Sequence, residues 1–149
     1  MSLKHHCAAL LFGLLAAVGG ANAEQKIESG EYVVHYSAVP ATSISPEIAR
    51  QYGITRSSGR GLLNVAVQRK QPDGLNQPVP ATVTAAATNL AGQRQALDMR
   101  EVREGDAIYY LGEPRVADNS TLDFDVEVSV PDRAEPIRLR FSQEFFASR

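Results

Sequence analysis

LDFDVEVSVPDRAEPIRLRF, residues 122–141, alternates strictly between apolar and polar side chains on both sides of a proline-bounded turn. Leu122, Phe124, Val126, Val128 and Val130 share one face; Asp123, Asp125, Glu127 and Ser129 share the other. After Pro131–Pro136, Ile137, Leu139 and Phe141 alternate in the same way with Arg138, Arg140 and Ser142. A period of two means a strand with one buried and one solvated face. Centring a hairpin on the turn sets Val128 opposite Leu139 and Val126 opposite Phe141. The wet face then sets Glu127 opposite Arg140 and Ser129 opposite Arg138.

Working outward, most of the chain reads as strand. Tyr32–Val39 and Leu62–Lys70 are rich in β-branched and aromatic residues. Ala81–Asn89 is a strand of small side chains, suited to close packing of two sheets. Gln95–Val102 and Ala107–Leu111 read as a hairpin around Arg103-Glu104-Gly105-Asp106. One short helix interrupts the pattern. Ser45 is a natural N-cap, Pro46 fits the first helical position and Gly53 stops it. Ile48 and Tyr52, four apart, face the core together. These signals predict an all-β fold. The expected form is an immunoglobulin-like antiparallel β-sandwich of about seven strands, with one short helix after the first strand. The Cys…Trp…Cys signature of true immunoglobulin domains is absent, since the chain has no tryptophan.

The first 23 residues read differently. Lys4-His5-His6 opens the chain, Cys7–Val18 is apolar, and Ala21-Asn22-Ala23 is a small-x-small cleavage pattern. This is the layout of a secretory signal peptide, cut after Ala23, and too short for a membrane span. A single β-sandwich domain is expected over 24–149, free in the periplasm with no membrane insertion after cleavage. The one cysteine, Cys7, leaves with the leader. Only one cation, Lys4, and no acid leaves with it, so the formal charge of −2 falls to −3. That acidity gives no electrostatic basis for nucleic-acid binding.

The candidate chemistry is sparse. His35 is the one histidine beyond the leader. With Ser57 or Ser58 as nucleophile it is the raw material of a hydrolase, but no nucleophile-elbow motif accompanies the serines. His35 therefore reads as a strand histidine. Metal sites lack ligands: no cysteine and no second histidine remain for zinc. Asp123, Asp125 and Glu127 stand ~7 Å apart along one strand face, too far for one calcium ion. No metal or cofactor is expected. Arg56-Ser57-Ser58-Gly59-Arg60-Gly61 is the most suggestive loop. Its two arginines, hydroxyls and backbone N–H groups suit an anion or a partner's carboxylate. Tyr109-Tyr110, Tyr32 and Tyr36 are either an aromatic patch or core, and alternation puts at least one of each adjacent pair inside.

Several segments together resemble a known family. They are Gly30-Glu31-Tyr32-Val33-Val34-His35-Tyr36, the helix with Tyr52-Gly53-Ile54, Arg56-Ser57, and Leu62-Leu63-Asn64-Val65-Ala66-Val67. They resemble a proteobacterial family of small exported proteins known only as a domain of unknown function. The resemblance extends over nearly all of 24–149. It implies a periplasmic β-sandwich and brings no activity, substrate or site residue. The leading expectation is a non-catalytic protein that binds an envelope partner at Arg56, Ser57, Ser58 and Arg60, or through an edge strand such as Tyr32–Val39. The alternatives are binding of a small anion or glycan, and the His35 hydrolase. The sequence leaves oligomeric state open.

Overall fold

Among the described residues, runs of valine, leucine and aromatic side chains, cut by glycine and proline, build ten strands in two antiparallel sheets. The computed structural model describes residues 24–146; the predicted leader, 1–23, lies outside the described residues. The strands are β1 (Gln25–Ser29), β2 (Tyr32–Pro40), β3 (Gly61–Arg69), β4 (Gln77–Pro78) and β5 (Thr82–Asn89), then β6 (Arg94–Leu97), β7 (Arg100–Glu104), β8 (Ala107–Gly112), β9 (Ser120–Ser129) and β10 (Ile137–Phe145). One sheet runs β1-β2-β3-β8-β7, with β4 added on β3; the other runs β10-β9-β5-β6. The chain is thus the expected antiparallel β-sandwich, with more strands than the seven read from sequence.

The extra strands have physical causes. β1 is short and mostly polar, so its sequence carries no burial signal; it is held by pairing with β2 through a turn at Gly30, whose φ of 59° suits glycine. It moves Tyr32–Val39 from the expected edge into the interior between β1 and β3, and sets the helix after the second strand. The single strand expected over Gln95–Val102 is two. β6 pairs with β5 in one sheet, β7 with β8 in the other, and Asp98-Met99 carries the chain across.

The β9–β10 hairpin keeps the expected faces but not the expected register. Val128 pairs with Ile137, Val126 with Leu139 and Phe124 with Phe141, a shift of two residues. Val130 leaves the ladder for the turn, where its carbonyl accepts from the Arg133 N–H at 3.3 Å. A two-residue shift preserves parity, so every apolar side chain still points inward.

Two cores result. Val34, Leu63, Val65, Ala87, Phe124, Val126 and Val128 fill the space between the sheets. On the outer face of the first sheet, helix α1 (Pro46–Tyr52) covers a second core of Val39, Ala49, Tyr52, Leu62, Tyr109 and Leu111. The helix is capped as read: Ser45 Oγ accepts from the Ile48 N–H at 3.2 Å, Pro46 is first, and Gly53 ends it at φ 67°. Tyr52 is buried and Ile48 half-buried against the same core.

Candidate functional site: an arginine-lined cleft at the β6 edge

The chain brings its arginines together where β6 meets the segment after β8. Backbone bonds from Gly61 N–H to Pro114 (2.9 Å) and from Val116 N–H to Gly59 (3.0 Å) lay residues 59–61 beside 114–116. The resulting bridge places Arg60 directly opposite Arg115. The Gln95 side chain clamps the same segment from the other sheet: its amide donates to the Arg115 carbonyl at 2.9 Å and its oxygen accepts from the Arg115 N–H at 2.8 Å. An open cleft of about 740 Å³ lies between them, lined by Arg60, Arg94 and Arg115 with Gln93, Asp98 and Glu113 among the polar neighbours.

The electrostatics are unbalanced. Directly opposed like charges destabilise a strand pair. Among the described residues no side-chain hydrogen bond or ion pair engages Arg60 or Arg115. Arg94 is tied to Asp125 at 3.1 Å, and the Glu113 carboxylate accepts from the Thr55 N–H at 2.7 Å. Arg60 and Arg115 thus share a cleft whose acidic lining, Asp98 and Glu113, forms no ion pair with either of them, and each guanidinium can hold a carboxylate or phosphate through a planar fork of N–H donors.

The loop singled out in the sequence divides. Arg60 enters the cleft. Arg56 turns to structural work: its guanidinium donates to the Ile44 carbonyl at 2.7 Å and the Thr42 carbonyl at 3.2 Å, tying the loop to the 3-10 turn Ala41–Ser43. Ser57 Oγ accepts from the Gly59 N–H at 3.1 Å, shaping the turn that presents Arg60. Ser58 is exposed beside a small recess with Pro40, Phe145 and Phe146. Arg94, Gln95 and Arg115 carried no sequence signal, because only the cross-sheet bridge makes them neighbours of Arg60.

His35 stands apart from both serines. It lies on β2, with Nε2 2.8 Å from Gln68 Oε1 and Nδ1 in contact with the Glu24 carboxylate. The loop reaches β2 at its far end, where the Ala41 N–H bonds the Arg60 carbonyl. Five or six residues of strand, roughly 15–20 Å, lie between. The Ser-His pairing behind the hydrolase alternative is not assembled. The tyrosines form no surface patch either. Tyr32, Tyr36 and Tyr110 enter the inter-sheet core and Tyr109 the second core, where burial pushes its hydroxyl pKa well up. The acidic row is a solvated ladder, with Glu127 3.0 Å from Arg138, Asp125 paired to Arg140 and Asp123 bonded by Ser142.

At the opposite end of the sandwich Tyr32 donates to Asp132, whose carboxyl is held below its usual pKa chiefly by that bond. Arg133 reaches Ser29 Oγ at 2.7 Å. These contacts latch the β9–β10 turn onto the first sheet.

A solved DUF4426 family protein from Pseudomonas aeruginosa PAO1 is similar to this chain at 30% identity and TM-score 0.72, over 85% of this chain and 97% of that one. FetP of uropathogenic Escherichia coli strain F11, recombinantly expressed in the periplasm of E. coli, shares the fold at 10% identity and TM-score 0.61, over 88% of this chain and 100% of its own. A copper-bound variant of that FetP aligns at 11% identity and TM-score 0.61, over 85% of this chain and 97% of its own. Among the described residues no group of three or more His, Cys, Asp or Glu is placed to hold a metal ion together. No curated protein matches the chain. The sequence model of one family, Domain of unknown function (DUF4426), matches residues 26–148, and the chain belongs to that family.

Proposed function

We propose that this is a non-catalytic periplasmic binding protein that docks an acidic group of an envelope partner in the Arg60–Arg94–Arg115 cleft. One observation carries the reading: Arg60 and Arg115 oppose each other across a backbone bridge, and among the described residues neither guanidinium is held in an ion pair. A fold optimised for stability alone gains nothing from that arrangement. An incoming carboxylate or phosphate would offset the repulsion and gain charge-assisted hydrogen bonds. The neighbouring β6 is a short sheet edge, so an extended acidic segment could also pair its backbone there. The leader-like residues 1–23 support an exported protein. So does the fold shared with a FetP expressed in the periplasm. Among the described residues no helix is long and apolar enough to cross a membrane.

The cleft's volume also falls within the range of small-molecule sites, which keeps a small anion as the second reading. The test is photo-crosslinking in cells, with a benzophenone amino acid at Ala96 in the cleft and at Asp106 at the other end. The reading expects an adduct from Ala96 that Asp106 does not give, and its loss in an Arg60→Ala/Arg115→Ala background. An adduct indifferent to the double substitution would overturn it. No adduct, with a thermal shift in phosphate or citrate that the double substitution abolishes, would select the small anion.

A further inference from the structure

The second sheet ends in two edges of unequal kind. β6 is four residues long, whereas β10 is nine, and among the described residues nothing pairs with the outer side of either. A long edge strand presents a row of unpaired N–H and C=O groups, which proteins normally shorten, cover or guard with charge. β10 carries charge on its wet face, but in an ordered way. Arg138, Arg140, Ser142 and Glu144 are exposed, Ile137, Leu139 and Phe145 are buried, and Phe141 at the midpoint is half-buried.

That order is self-complementary. Two antiparallel copies of β10 centred on Phe141 overlap over all nine residues. Arg138 then faces Glu144 of the second copy, and Arg140 faces Ser142, each twice by the two-fold axis. On the buried side Ile137 meets Phe145, Leu139 meets Gln143, and Phe141 meets itself. Within each copy Glu127 already pairs with Arg138 and Asp125 with Arg140, so Arg138 would stand between Glu127 of its own chain and Glu144 of the second copy, and Arg140 between Asp125 and the second copy's Ser142. Other registers fail. Sliding by one residue sets buried faces against wet ones. Centring on Arg140 stacks that arginine on its own copy, and centring on Ser142 leaves Ile137 and Arg138 unpaired.

We propose that β10 is the interface of a two-fold homodimer, in which antiparallel β10–β10 pairing about Phe141 joins two four-stranded sheets into one. This rests on the open edge and its charge order, and is independent of the arginine cleft.

The register gives a specific test. The only cysteine is Cys7, so in a Cys7→Ser background cysteines can be placed at will. Arg140 and Ser142 of opposite copies would be directly paired, with Cα atoms about 4.5–5.5 Å apart, within disulfide reach. Neither residue faces its own copy. The full chain carrying Arg140→Cys, mixed with one carrying Ser142→Cys, should give a disulfide-linked dimer on mild oxidation, and neither should do so alone. Sedimentation velocity of the unsubstituted protein at high micromolar concentration should show a dimer. Glu144→Lys, which sets lysine against Arg138 twice, should weaken it about tenfold. Adding Arg138→Glu protein to Glu144→Lys protein should restore a heterodimer, since both cross-seam pairs are then of opposite sign. A monomer at high concentration, a dimer insensitive to Glu144→Lys, or self-linking of Ser142→Cys alone would each overturn the proposal.

Discussion

Asn64 offers the sharpest test of the energetics. It sits on β3 directly opposite Ser37 of β2, on the sheet face that the helix covers. Asn64 is completely buried and Ser37 nearly so, at 0% and 5% exposure. Among the described residues, neither amide atom of Asn64 nor the Ser37 hydroxyl has a hydrogen-bond partner. Leaving such groups unsatisfied costs about 1–3 kcal/mol each relative to an apolar side chain. Asn64→Leu should therefore raise unfolding free energy by about 2 kcal/mol, and Ser37→Ala by about half as much. For a domain of this size 1 kcal/mol moves the melting temperature by about 4 °C, so Asn64→Leu should add about 8 °C.

The assay is urea and thermal unfolding of each variant and of the pair, with the urea slope checked for constancy. The two gains should add to within about 0.5 kcal/mol, since the side chains share no bond. Leucine is bulkier than asparagine along its branch, and overpacking could mask the gain; Asn64→Val removes that ambiguity. A loss of stability in both the leucine and the valine variants would refute the reasoning, and a coupling above about 1 kcal/mol would reveal a bond between Ser37 and Asn64.

Other outcomes follow from the same contacts. Arg115→Gln removes one of two opposed cations and should stabilise the protein by about 0.3 kcal/mol in low salt, the gain fading in high salt; chemical denaturation at two ionic strengths reads it. Burial raises the Tyr109 hydroxyl pKa above its unfolded value near 10. The unfolded chain therefore releases that proton first, so the tyrosine's contribution is complete below about pH 10 and declines above it. Tyr109→Phe should flatten the alkaline fall in melting temperature, and an unchanged profile would contradict this. Gly53→Ala forces a Cβ into the left-handed region at φ 67° and should cost about 1 kcal/mol, with Ser45→Ala costing about the same at the other end of the helix. Both are measured by urea unfolding.

How much of this was legible in the chain depended on whether the cause was local. The alternation in 122–141 announced both strands and their faces, because burial on one side leaves its mark at every second residue. The helix was legible because Ser45, Pro46 and Gly53 each act on their nearest neighbours. Register was not, because a shift of two leaves the alternation unchanged and the choice falls to Val130 entering the turn. β1 was not, because it is held by backbone pairing to β2 rather than by apolar side chains of its own. The cleft was half legible. Arg56 and Arg60 look equivalent in sequence, and only the carbonyls of Thr42 and Ile44 decide that Arg56 is consumed as a tie. Arg115 becomes a partner of Arg60 through a bridge between segments more than fifty residues apart.

The two edges of the β10-β9-β5-β6 sheet bear on each other. If β10 joins two copies, β6 becomes the outer edge on both sides, and each outer edge carries one arginine cleft. Eight strands spaced about 4.8 Å apart would set the clefts roughly 30–35 Å from each other. A partner displaying repeated acidic segments could then engage both clefts, and the second contact would be effectively intramolecular, strengthening binding by about 10²-fold or more where the spacing permits. The dimer and the cleft would then be separable by mutation yet coupled in effect. Glu144→Lys leaves every cleft residue in place, so a single acidic peptide should bind it as well as it binds the unsubstituted protein. A surface coated with such peptides should hold it far more weakly. Isothermal titration against the single peptide and surface plasmon resonance against the dense surface separate the two. Equal retention of both proteins on the dense surface would show that the cleft acts singly and that avidity plays no part.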